Sequence, residues 1–362
     1  MKQRPRVFIT DCEGPISKND NAFELTSVFL PDGNRFFTLI SRYDDVLADI
    51  IKKPGYKAGD TLRLIVPFLR AYGATDDKMR AYSARNILLV PGADETLRFA
   101  TSIMPSFIVS TSYEHYISAL CDTVGFPREN AYCTRVDIDR YELSKEETEK
   151  LKALREEISE LQMIEIPKGA KSLDDLPSET KTAVNRLDRI FWEEFPEMKS
   201  GEILEEVNPV GGFEKANAVR QIAEGADADL SDIVYVGDSI TDVDPFRMVR
   251  NGGGLTVSFN GNRYAVREAE IAVLSQHTVV ISILAEIFKR FGKKRVIQSA
   301  DSWLPSSLQG LCSSSLLSAL NMLHPQKAPK VARITQDNIG QLMADSSAFR
   351  KTVRGEAVGK LG

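Results

Sequence analysis

The chain has 362 residues, of which 43% are hydrophobic and 27% charged, with a formal net charge of −5. At roughly 150 residues per domain this ordinary globular balance predicts two or three compact units. The acidic balance, with no basic stripe, argues against a nucleic-acid binder, and no apolar run approaches the roughly 20 residues that span a bilayer.

The basic start Met1–Arg6 is followed by too short an apolar run to read as a signal peptide. Cys12, Cys121, Cys133 and Cys312 are scattered, without a C-x-x-C pair, and His115, His277 and His324 lie far apart. A Cys/His metal centre is therefore not expected, and the thiols suit a reducing, cytoplasmic setting.

Val7-Phe8-Ile9 runs straight into Asp11-Cys12-Glu13-Gly14-Pro15. A short apolar run stopped by a turn signal predicts a buried strand of a parallel sheet, with both carboxylates at its carboxyl end. Residues 16–86 follow a mostly helical pattern, with Phe36, Phe37, Leu39 and Ile40 in one stretch and Leu62, Leu64, Ile65, Phe68 and Leu69 in another, broken at Lys53-Pro54-Gly55. Ser106-Phe107-Ile108-Val109 reads as a second strand ending in Ser110-Thr111-Ser112. Tyr113–Leu120 reads as helix and Ala131–Ile138 as a further strand.

The segment 136–206 is a helical excursion. Ser144-x-x-Glu147 has the form of a capping box ahead of Leu151, Leu154, Ile158 and Leu161, and a second helix is predicted from Ser178. The mixed charges of 145–157 fit a solvated helix face. The sheet resumes with Ile233–Val236, ending in Gly237-Asp238-Ser239-Ile240-Thr241-Asp242, then Gly254–Phe259 and Ile271–Leu274. Strands alternating with helices predict an α/β fold with a doubly wound, Rossmann-like parallel sheet. The expected division is a core of 1–15, 87–135 and 207–291, a helical cap of 16–86, a second insertion of 136–206 and a helical tail of 292–362.

In such a sheet Asp11, Glu13, Ser110, Thr111, Asp238 and Asp242 fall on one edge, with Lys215 opening a helix nearby. Two like charges about 4 Å apart at an effective dielectric near 20 cost roughly 4 kcal/mol, so four carboxylates there call for a cation. All-oxygen ligands select a hard one, Mg²⁺. With a lysine and hydroxyls able to hold phosphate oxygens, the set predicts phosphoryl transfer.

The ordered set D-x-E-G, an apolar strand ending in Ser110, the distant Lys215 and G-D-x-x-x-D resembles the haloacid dehalogenase superfamily of phosphohydrolases, in particular its phosphoserine- and phosphoglycolate-phosphatase-like members. The stretch Val257–Asn262 is also similar to an archaeal group named as a subunit of an energy-converting hydrogenase. The resemblance implies that Asp11 is the nucleophile and Glu13 the acid and base. It implies that Ser110, Thr111 and Lys215 hold the phosphoryl group. Asp11, Asp238 and the Glu13 backbone carbonyl would ligate Mg²⁺, with Asp242 supporting.

Most such phosphatases carry Asp where Glu13 stands, although the enolase-phosphatase of methionine salvage is similar in having D-x-E-G. The insertion 16–86 looks like the family's cap, and Arg35, Arg42, Tyr43, Tyr56 and Arg63 are its candidate substrate contacts, ordinary surface or packing roles being the simpler expectation. Cys12 is expected in the core and His115 on a helix surface. The function expected is hydrolysis of a small phosphorylated metabolite. The alternative is a non-catalytic interaction subunit that docks a protein partner through Leu316, Leu317, Leu320 and Leu323 of the tail; the same leucines would equally pack back on the sheet.

Overall fold

The computed structural model describes residues 4–326 and 328–360, so Met1–Gln3 of the basic start lie outside the described residues. Seven strands, β1 (Val7–Thr10), β2 (Ser106–Tyr113), β3 (Ala131–Thr134), β4 (Ile233–Gly237), β5 (Leu255–Phe259), β6 (Ile271–Leu274) and β7 (Lys330–Arg333), form one sheet in the order β3-β2-β1-β4-β5-β6-β7. The first six are mutually parallel, which bears out the doubly wound α/β expectation. β7 is antiparallel to β6 and went unread in the sequence, because Lys330-Val331-Ala332-Arg333 has only one strongly apolar residue.

The period of two divides β1 between two cores. Phe8 packs with helices 93–103, 114–124 and 279–291 on one face, and Val7 and Ile9 pack with 213–225 and 243–251 on the other. Cys12 is fully buried in the first of these clusters, as expected. Burial on both faces explains why β1 and β4 are continuous apolar runs rather than alternating ones.

Residues of 22–79 and 136–207 share a third hydrophobic core. Tyr43 stacks on Phe191 with centroids 6.0 Å apart, and Phe68 lies 5.8 Å from Phe195. The Tyr43 hydroxyl donates to Asp188 at 2.5 Å and accepts from the Trp192 indole at 2.8 Å. The two insertions therefore build one body, which seats on the core where the Tyr113 hydroxyl donates to the Leu62 carbonyl at 2.6 Å. Only half of the capping box forms. The Ser144 hydroxyl accepts from the Glu147 N–H at 3.1 Å, while the Glu147 carboxylate accepts instead from the Ser200 N–H at 2.9 Å.

The tail packs back on the core rather than standing free. Leu320 is buried and Leu316 and Leu317 are half-buried against the sheet's first cluster, leaving Leu323 exposed. Its last helix, Ile339–Arg354, buries Leu342 against Val266 and Ala272. Among the described residues no helix is long and apolar enough to cross a membrane.

Candidate active site

β1 and β4 lie side by side where the chain reverses its course across the sheet, and open α/β sheets bind ligands in the crevice beyond that point. The Asp11 N–H donates to the Val236 carbonyl at 2.8 Å, so the pairing of the two strands continues up to the first carboxylate. Gly14 then turns the chain at φ +112°, a conformation that L side chains rarely adopt. A Cβ there would run into the Asp238 carboxylate, so the close approach of the two strand ends also needs a glycine.

Asp11 is buried. One oxygen accepts the Cys12 N–H at 2.6 Å and the other lies 2.6 Å from the Lys215 ammonium. Burial raises its pKa to about 6, with Lys215 pulling it down and Asp242 adding to the rise. Lys215 comes from the first turn of helix Phe213–Gly225, is 0% exposed, and donates also to Asp242 at 2.8 Å. Burial works against its charge, but the two carboxylates outweigh it and the ammonium pKa rises.

Asp242 has no spare capacity. It also accepts from the Tyr235 hydroxyl at 2.7 Å and from the N–H groups of Asp238 and Ser239 at 2.9 and 3.0 Å. It therefore holds Lys215 in place. Glu13 is partly buried and accepts the Asn21 N–H at 2.7 Å. Burial first, then the charge of Asp20, pushes its carboxyl well above the usual range. From β2 come Ser110, whose hydroxyl lies 3.2 Å from that of Ser112, and Thr111, whose buried Oγ1 has no partner.

Carboxylate oxygens of Asp11, Asp238 and Asp242 lie within 4.8 Å of one another, and Asp238 Oδ1 is buried without a hydrogen-bond partner. With Asp242 committed, the donors left for a cation are Asp238 Oδ1 and the remaining lone pairs of Asp11. That oxygen-only set fits a hard divalent ion.

Every core site residue expected from the sequence thus meets at one edge. The cap candidates do not. Arg35 donates to the Ser159 and Leu161 carbonyls, Tyr56 to Asp44, and Arg63 pairs with Asp60 at 2.7 Å. The cap wall of the cavity is instead Asp20, Phe37, Ser41, Asp45, Thr61 and Leu62 among others, and no described residue of 136–206 lines it. His115 corrects its expectation. It is 3% exposed and pairs with Asp76 at 2.5 Å, because its helix start faces helix Asp76–Arg85 rather than solvent.

Two site residues escaped the sequence entirely. Arg350 and Arg354, from the C-terminal helix, both reach Asp238 Oδ2, Arg354 at 3.3 Å. They stand a full turn apart on one helix face, a spacing that any surface helix can show, so no signal marked them.

No family model and no curated protein matches the chain. Among solved structures, the chain is similar to a gene product of Archaeoglobus fulgidus, with 27% identity, 99% of each chain covered and a TM-score of 0.81. A phospho-aspartyl intermediate analogue of phosphoserine phosphatase matches 77% of this chain and 98% of its own, at 14% identity and a TM-score of 0.45. A haloacid dehalogenase-like protein of unknown function from Agrobacterium tumefaciens matches 77% of this chain and 97% of its own, at 14% identity and a TM-score of 0.34.

Proposed function

We propose that the protein is a Mg²⁺-dependent phosphatase that hydrolyses a small phosphorylated metabolite through an aspartyl-phosphate on Asp11. The observation that carries this reading is the contrast between two neighbouring carboxyls. Asp11 faces a lysine 2.6 Å away that pulls against its burial and leaves its pKa at about 6, whereas Glu13, with no cationic group that close among the described residues, is held well above the usual carboxylate range. Pairs of acids whose environments differ in this way divide into nucleophile and proton donor.

In the first half-reaction an Asp11 oxygen bonds to phosphorus as the ester oxygen leaves, and that oxygen takes the Glu13 proton. In the second, the Glu13 carboxylate takes a proton from water, the water oxygen bonds to phosphorus, and the acyl-phosphate bond breaks. This frees Asp11 and inorganic phosphate and returns the proton to Glu13. Lys215 screens Asp11, and the Ser110 and Thr111 hydroxyls hold phosphoryl oxygens. Asp11, Asp238 and the Glu13 backbone carbonyl would hold Mg²⁺, which supplies charge neutralisation to the transferring group. The insertions 16–86 and 136–206 act as a cap that limits water and substrate entry.

Phosphate release from an aryl phosphate, with and without Mg²⁺, tests this. Wild type should turn over only with the metal and Asp11→Asn not at all. Equal turnover by both proteins would refute it.

A further inference from the structure

The cavity over Asp11 has an unexpected electrostatic make-up. Its walls carry Asp11, Glu13, Asp20, Asp45 and Asp238, and Lys215 lies beneath, 0% exposed and spent on two carboxylates. Among the described residues, the cationic side chains that line the cavity are Arg350 and Arg354, and both come from the C-terminal helix. An anion that enters here finds acidic and neutral groups over the rest of the wall.

The two arginines are not equivalent. Arg354 is tied down on all three nitrogens, to the Lys18 carbonyl at 3.1 Å, the Asn19 carbonyl and Asp238. It staples the helix across the loop that follows the first strand. Arg350 is 3% exposed and uses Nη1 on Asp238, while its buried Nε has no partner. A buried guanidinium nitrogen left unpaired is costly, and Nε forms one side of the fork with which arginine grips phosphate. Thr111 Oγ1 and Asp238 Oδ1, on the same cavity, are also buried and unpartnered.

The helix is held firmly enough to place the group. Leu342 is buried under it and the Ser346 hydroxyl donates to the Gly261 carbonyl at 2.6 Å.

We propose that Arg350 is a substrate-binding residue whose guanidinium takes the phosphoryl group that enters the cavity, so that the C-terminal helix completes the site. This rests on the phosphatase reading above. The site is accordingly built from three sides, with Ser110 and Thr111 on β2, the Asp11 edge below and Arg350 from the tail.

The test is calorimetric titration of the full-length protein with inorganic phosphate in the presence of Mg²⁺, for wild type, Arg350→Gln and Arg350→Lys. A parallel titration with Mn²⁺ followed by electron paramagnetic resonance reads the cation. Arg350→Gln keeps part of the stem and Arg350→Lys the charge, so that at least one folded variant is available. Phosphate affinity should fall at least about tenfold in Arg350→Gln and recover in part in Arg350→Lys, since lysine restores a point charge without the fork. Mn²⁺ affinity should not weaken. Unchanged phosphate binding overturns the proposal, as does a wild type that binds no phosphate. Weakened Mn²⁺ with unchanged phosphate would make Arg350 a support for Asp238 instead. Arg350-dependent phosphate binding without turnover would sink the phosphatase and keep this site, whereas turnover with Arg350-independent binding would sink this inference alone.

Discussion

Lys215 separates Asp11 from Asp242, and its helix puts it there before any substrate arrives. Glu13, by contrast, owes its raised pKa to burial and to Asp20, a residue at the cap stem. The sequence displayed Asp11, Glu13, Lys215, Asp238 and Asp242 because strand ends and G-D-x-x-x-D leave a local pattern. The raised pKa of Glu13 was not legible, since burial is a property of the folded chain and leaves no local pattern. Glu13→Gln should lower kcat for an alkyl phosphate by about 10²–10⁴. With an aryl phosphate, whose leaving group needs little protonation, the variant should accumulate phosphoenzyme in rapid-quench experiments. A kcat unaffected for both substrates would remove Glu13 from the chemistry.

At the scale of the element, the turn after β1 and the cap helix Gly33–Asp45 each make a testable demand. Gly14→Ala forces a Cβ against the Asp238 carboxylate at a φ of +112°. The variant should fold with an unchanged far-ultraviolet circular dichroism spectrum yet lose measurable Mn²⁺ binding; retained binding would show that the two strand ends can part. Asp45 ends the cap helix and is 4% exposed, and burial raises its pKa to about 7 against the pull of Arg42 and Arg263. Because its folded pKa exceeds the usual 3.8, the native state holds the proton more tightly. Its contribution to stability is therefore full below about pH 4 and lost as pH rises toward 7. Asp45→Asn should flatten that decline and leave the protein roughly 2–4 kcal/mol more stable than wild type at pH 8 in urea denaturation. Parallel pH–stability curves for the two proteins would contradict it. Neither demand was visible in sequence, where Gly14 read as a turn residue and nothing singled out Asp45.

At the scale of the molecule, the chain is one sheet carrying a helical body whose core is shared by residues of 22–79 and 136–207. Helical periodicity marked both insertions, but nothing local could say that Phe68 and Tyr43 of one meet Phe195 and Phe191 of the other. The same holds for the tail, whose leucine face was legible while its destination was not. β7 and the arginine-bearing helix depend on register with β6 and on packing against Val266. Phe191→Ala should cost about 3–5 kcal/mol and raise amide hydrogen exchange in 22–79 and 136–206 together, while β1, β4 and β5 stay protected. Loss of protection confined to 136–206 would mean that the insertions are energetically separate.

The most direct test of the central claim is acid-quenched mass spectrometry of a single turnover with Mg²⁺ and a phosphate ester. One phosphoryl group should appear on the peptide that contains Asp11, decay with the rate of phosphate release, and be absent in Asp11→Asn. Phosphate release without any phosphorylated peptide, or a phosphoryl group on a different residue, would contradict an aspartyl-phosphate at Asp11.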